Sequence, residues 1–75
     1  MKDLRVESRT HTDRFYLIIR GEGTPSFPIN VQEYNPYYTL GENKVTVKHY
    51  AYCGIGKFCK TIEEAYDWIE KRDRE

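Results

Sequence analysis

Lys44-Val45-Thr46-Val47-Lys48-His49-Tyr50-Ala51-Tyr52-Cys53 (KVTVKHYAYC, residues 44–53) decides the fold class, because two kinds of side chain alternate through it at a period of two. One set is Lys44, Thr46, Lys48, Tyr50 and Tyr52, and the other is Val45, Val47, His49, Ala51 and Cys53. The pattern predicts a half-buried strand, with the second set toward a core and the first toward solvent or a partner.

Gly41-Glu42-Asn43 precedes this strand as a hairpin connection from Tyr37–Leu40. Leu40 is expected opposite Val45 and Tyr38 opposite Val47, which would place Tyr37 and Thr39 beside Lys48 and Thr46 on the outward face. Asn35-Pro36 is a turn signal. Phe27, Ile29 and Val31 alternate through another strand, and Pro28 argues that this strand lies at a sheet edge. Gly21-Glu22-Gly23-Thr24-Pro25 separates it from the β-rich run Phe15–Arg20, in which Phe15, Leu17 and Ile19 share a face. His11-Thr12-Asp13 is the turn before that run, and Leu4 and Val6 mark an opening strand. On the C-terminal side, Gly54-Ile55-Gly56 reads as a turn and Lys57–Cys59 as a short returning strand.

The chain then changes period. Thr61 followed by Glu64 is a capping box, in which the hydroxyl accepts from an early helix N–H and the carboxylate reaches back. Ile62, Ala65, Tyr66 and Ile69 fall on one helical face with Trp68 at its margin. Glu63 and Glu64 suit the positive helix end, and Lys71, Arg72 and Arg74 the negative end. Asp67–Lys71 and Glu70–Arg74 have the spacing of i,i+4 ion pairs. Together these signals predict an α+β fold: a small twisted, mainly antiparallel sheet of four to six short strands with one C-terminal helix packed on one face. The expected strands lie within residues 3–10, 14–20, 27–33, 37–40, 44–53 and 57–59, and the helix covers about 62–73 of a single domain, 1–75.

At 75 residues the chain is near the lower limit for a fold held by its core alone. Met1-Lys2-Asp3-Leu4-Arg5 contains no apolar stretch of the kind that opens a signal peptide. The longest apolar run, Phe15-Tyr16-Leu17-Ile18-Ile19, is too short to span a bilayer, so a cytoplasmic protein with no membrane partner is expected. In that setting Cys53 and Cys59 are expected as free thiols. Formal charge is zero but unevenly spread: residues 44–60 carry four lysines and no acid, and residues 21–43 three glutamates and no base.

No motif supplies catalytic chemistry. Gly54-Ile55-Gly56-Lys57 fails as a phosphate loop, because Ala51 stands where the pattern needs glycine and Phe58 where it needs Ser or Thr. His49, Cys53 and Cys59 are soft ligands, but on a strand His49 and Cys53 stand about 13 Å apart at ~3.3 Å per residue, beyond what one zinc ion bridges. No metal, cofactor or catalytic residue is therefore expected, and the chain does not read as an enzyme. Asn35-Pro36-Tyr37-Tyr38 and Pro25-Ser26-Phe27-Pro28 contain short recognition strings that are read here as chain-shaping segments.

Five of the seven tyrosines fall between Tyr34 and Tyr52. Tyrosine offers large contact area, a hydroxyl and few rotors, which enriches it at interfaces. Tyr37, Lys44, Lys48, Tyr50 and Tyr52 are the candidate partner-binding residues. The expected function is a small protein-binding module that occupies a partner's surface, in the manner of phage or mobile-element proteins that inhibit host enzymes. The second reading is a nucleic-acid-binding domain using the basic aromatic hairpin 44–60. Phe58-Cys59-Lys60-Thr61-Ile62-Glu63-Glu64-Ala65-Tyr66-Asp67-Trp68 resembles the strand-to-helix junction of the arm-binding domains of phage-type integrases. The resemblance implies a three-stranded sheet with a C-terminal helix on DNA. Those domains are typically basic, and this chain is not.

Overall fold

The alternating stretches form four antiparallel strands in a simple meander: β1 (Leu4–Glu7), β2 (Phe15–Arg20), β3 (Ile29–Leu40) and β4 (Thr46–Cys59), in the spatial order β1-β2-β3-β4. The helix α1 (Ile62–Asp73) follows. The computed structural model describes residues 3–21 and 23–75. Met1 and Lys2 of the N-terminal stretch, and Glu22 of the break after β2, lie outside the described residues. The α+β architecture is as expected, with four strands where the integrase resemblance implies three.

Leu4, Val6, Tyr16, Ile18, Ile29, Val31 and Cys59 pack with Ile62, Ala65, Trp68 and Ile69 of α1 to form the core. Thr61 caps the helix, its hydroxyl accepting from the Glu64 N–H at 3.1 Å, while the Glu64 carboxylate accepts from the Lys60 N–H at 3.3 Å. Trp68 belongs to the packed stripe, edge-on to Tyr16 at 6.3 Å, whereas Tyr66 is exposed. That reverses the expected placing of the two rings. Glu70 and Arg74 pair at 3.6 Å; Asp67 and Lys71 form no ion pair among the described residues.

Two expected turns are absent. β3 runs unbroken through Asn35-Pro36, merging the predicted strands 27–33 and 37–40. The reason is the ladder. Gly41 N–H donates to the Val45 carbonyl at 2.8 Å, so that pair is hydrogen-bonded, and bonded and non-bonded pairs alternate along an antiparallel ribbon. Leu40–Thr46, Tyr38–Lys48, Pro36–Tyr50 and Tyr34–Tyr52 are therefore the non-bonded pairs. The proline nitrogen faces away from β4, toward the side that β2 occupies only as far as the Phe15–Tyr34 pair. No ladder bond is lost there. Pro28, in turn, lies just before β3, and β3 is an inner strand; the sheet edges are β1 and β4, not the strand that Pro28 was expected to mark.

Gly54-Ile55-Gly56 is a bulge inside β4, not a turn, so the expected strands 44–53, from Thr46 onward, and 57–59 are parts of one long strand. Pairing slips between Gln32–Gly56 and Tyr34–Tyr52, leaving Glu33 opposite the segment Cys53-Gly54-Ile55. Gly54 takes φ 86°, a left-handed value that glycine adopts without strain. At Gly56 a β-carbon would come within 2.4 Å of the Val31 carbonyl oxygen. Gly56→Ala is expected to push β3 and β4 apart and lower stability by about 1–3 kcal/mol, read from the urea midpoint.

Candidate functional site

The helix covers one face of the sheet and leaves the other open. Register assigns the side chains: Arg5, Glu7, Phe15, Leu17 and Ile19 from β1 and β2, and Tyr34, Tyr38, Leu40, Thr46, Lys48, Tyr50, Tyr52 and Phe58 from β3 and β4, lie on the open face. Of these, Tyr50 is 38% exposed, Tyr52 45%, Phe58 53%, Tyr38 57% and Leu40 72%, which is far more aromatic surface than isolated exposed residues account for.

Its centre is a stack. The Arg5 guanidinium lies 3.9 Å above the Phe15 ring, Phe15 stacks on Tyr34 at 5.0 Å, and Tyr50 meets Phe15 edge-on at 5.1 Å. Tyr52 continues the row at 6.1 Å from Tyr34. The phenol of Tyr34 donates to the Gln32 side chain at 3.0 Å. Such offset and edge contacts fix the orientation of the rings.

The charges on this face are already matched. Arg5 pairs with Glu7, and the Lys48 ammonium pairs with Asp13 at 2.5 Å. The hydrogen bond to Asp13 holds the Lys48 ammonium above its ordinary value. Lys57, at the helix-side register, stands 3.9 Å from Glu64. The surface is thus aromatic and locally near neutral.

Lys48, Tyr50 and Tyr52 therefore stand together as expected, and two predicted site residues do not join them. Tyr37 lies on the opposite face of the ribbon, stacked on His49 at 5.0 Å. The turn explains this. Lys44 adopts φ 60°, its N–H donates to Gly41 at 3.1 Å, and the left-handed residue shifts the expected register by one position. Tyr38 and Leu40, rather than Tyr37 and Thr39, accompany Lys48 and Thr46. Lys44 sits in that turn, outside β4. The predicted inward set also fails as core: Val45, Val47 and Ala51 are exposed because the ribbon beyond the Tyr34–Tyr52 pair extends past β2, and Cys53 is exposed in the bulge opposite Glu33.

Phe15, Tyr34, Tyr38 and Phe58 also belong to this open-face cluster, and the sequence reading did not include them. Phe58 is in phase with Tyr50 and Tyr52, but reading Gly54–Gly56 as a turn hid the relation. Phe15, Leu17 and Ile19 do share a face, and it is the open one; Tyr16 and Ile18 enter the core.

On the helix side, two buried carboxylates lock α1 to the sheet. Glu33 accepts from Arg72 Nε at 2.8 Å and from the Asn35 amide at 2.8 Å, with Arg14 at 3.8 Å and the Cys53 thiol at 3.4 Å. Burial alone would raise its pKa, but the Arg72, Asn35 and Cys53 donors outweigh that and hold it below the usual value. Asp73 accepts from Ser8 Oγ at 2.6 Å, the Arg9 N–H at 2.9 Å, the Thr10 N–H at 3.3 Å and the Tyr16 hydroxyl at 2.9 Å. Burial again opposes ionisation, and these donors prevail, leaving the carboxyl well below its ordinary range. Burial and the bond to Asp73 push the Tyr16 phenol up to about 12. No buried side-chain polar atom among the described residues lacks a partner.

His49 bonds to Thr39 at 2.8 Å, Cys53 lies against Glu33, and Cys59 is buried in the core, where desolvation raises its thiol pKa. Among the described residues no three metal-ligating side chains gather, and no helix is long and apolar enough to cross a membrane. Comparison with protein families, curated proteins and solved structures found no match to this chain.

Proposed function

We propose that the chain is a protein-binding module that covers a partner's surface with the open face of its sheet. One observation carries this reading: Tyr38, Tyr50, Tyr52 and Phe58 are exposed on a face whose cations are already bound to Glu7 and Asp13. A nucleic-acid surface relies on cations free to meet phosphates. An interface core is instead aromatic and depleted in free charge. Steric blocking of the partner, as by the small inhibitors of phages and mobile elements, is the finer reading we attach to it.

Tagged protein incubated in native lysate, with and without nuclease, tests the proposal. A stoichiometric protein that survives nuclease and moderate salt is expected. Anchor tyrosines at interface centres contribute about 2 kcal/mol or more, so Tyr50→Ala with Tyr52→Ala should weaken capture by roughly thirty-fold or more while circular dichroism stays native. Capture that disappears with nuclease would reassign the face to nucleic acid. Inhibition assays on the captured protein then decide whether binding blocks its activity.

A further inference from the structure

Among the described residues no strand pairs with the outer edge of β4, although β4 is the longest strand. The alternation set by the Gly41–Val45 bond places the N–H and C=O groups of Thr46, Lys48, Tyr50 and Tyr52 on that open edge. Sheet edges are ordinarily guarded by proline, by free lysine or by brevity. β1, the opposite edge, has four residues and carries Arg5 and Glu7 outward. From Thr46 to Tyr52 the β4 edge has no proline, and Lys48 is tied back to Asp13. The ribbon behind this edge is also exposed on both sides, with Val47 on one face and Tyr38 and Leu40 on the other. Two strands without a covering layer are marginal in water.

We propose that this edge pairs antiparallel with the same edge of a second copy, joining two sheets into one about a two-fold axis at His49. Only an extended strand matches a row of alternating donors and acceptors. Within this chain β4 offers the long free edge, and β1 is too short to match it. The register follows from the bulge. Gly54 interrupts regular pairing, so the regular run is Thr46–Tyr52, and His49 is its midpoint. Centred there, Thr46 meets Tyr52 of the second copy, Lys48 meets Tyr50, and Val47 meets Ala51. Lysine faces a ring and the larger apolar side chain faces the smaller. Centring on Lys48 would oppose two ammonium groups, and centring on Tyr50 would draw Gly54 into the ladder. The His49 register forms about eight main-chain hydrogen bonds, two for each bonded pair.

This pairing uses the strand edge, so it stands or falls separately from the partner face. Sedimentation equilibrium over a micromolar to submillimolar series should show a reversible monomer–dimer equilibrium. The decisive variant is a chain synthesised with an N-methyl group on the Tyr50 amide. That N–H points away from β3, so the monomer keeps its ladder and its phenol, while the dimer loses bonds and gains a clash. The expected result is at least a ten-fold weaker dimer with an unchanged circular dichroism spectrum. A cysteine placed by His49→Cys, in a Cys53→Ser/Cys59→Ala background, should form a disulfide between copies on oxidation. A chain that stays monomeric throughout the series overturns the proposal. So does a dimer that N-methylation leaves intact, or one that does not crosslink through position 49. A dimer absent from pure protein but replaced by capture of a foreign strand would overturn the choice of occupant.

Discussion

Asp73→Ala is expected to lower folding stability by about 3–4 kcal/mol, read as a fall in the urea midpoint at neutral pH. The carboxylate accepts from Ser8, Arg9, Thr10 and Tyr16, joining the last turn of α1 to the loop after β1 and to the start of β2. The Thr10 hydroxyl completes the junction by donating to the Asp73 carbonyl. Truncation leaves the Tyr16 phenol in the core without its acceptor and frees two N–H groups at the helix end. A small domain holds only about 5 kcal/mol in total, so most of its margin would go. A variant with the wild-type midpoint would mean that the helix is held by its apolar stripe alone.

The same cluster sets the pH limits. Asp73 and Glu33 are both depressed in the folded chain, so each binds protons more weakly folded than unfolded. Their stabilisation is fully present above the unfolded carboxyl values near 4, and is lost as pH falls through the folded ones. Tyr16 works in the opposite sense. Its pKa is raised from 10.0 to about 12, so its contribution is complete below pH 10 and is lost as pH rises toward 12. Asp73→Asn should flatten the acid limb of a stability-versus-pH curve, and Tyr16→Phe the alkaline limb.

Glu33→Ala is the second large effect, about 3–5 kcal/mol destabilising. Its side chain is 1% exposed and holds Arg72 of α1 and Asn35 of β3, with Arg14 close by. Removing it leaves the two guanidinium groups in a partly buried site with no carboxylate between them. Charge desolvation makes the loss of one partner costlier than the loss of the pair. The double variant Glu33→Met/Arg72→Met is accordingly expected to recover much of the stability lost in Glu33→Ala. A double variant less stable than the single would show that the pair contributes net stability beyond its own desolvation.

Both clamps left a mark in the sequence. Asp73 falls four residues after Ile69 and eight after Ala65, on the stripe the helix buries, and Glu33 follows Ile29 and Val31 in the same phase of β3. A carboxylate in an apolar phase signals a buried polar junction, and that signal was available. Its partners were not, because Ser8, Tyr16 and Arg72 are far away along the chain. The open-face stack was legible only in part. Tyr50, Tyr52 and Lys48 followed from alternation within one strand, whereas Phe15 and Tyr34 join them only through pairing between strands.

The sequence by itself determined the α+β class, the antiparallel pairing of short-range neighbours, the helix with its Thr61 cap and the in-phase set Lys48, Tyr50 and Tyr52. These depend on period and on contacts within a few residues, which local order displays directly. Tertiary structure alone decided the register at Lys44, the fate of Asn35-Pro36 and Gly54–Gly56, and which face of β2 meets the helix. A turn residue in the left-handed region or a bulge changes which side chains share a face. A proline is tolerated or refused according to whether a strand lies beside its nitrogen. That neighbour is supplied by distant parts of the chain, so no local pattern contains it.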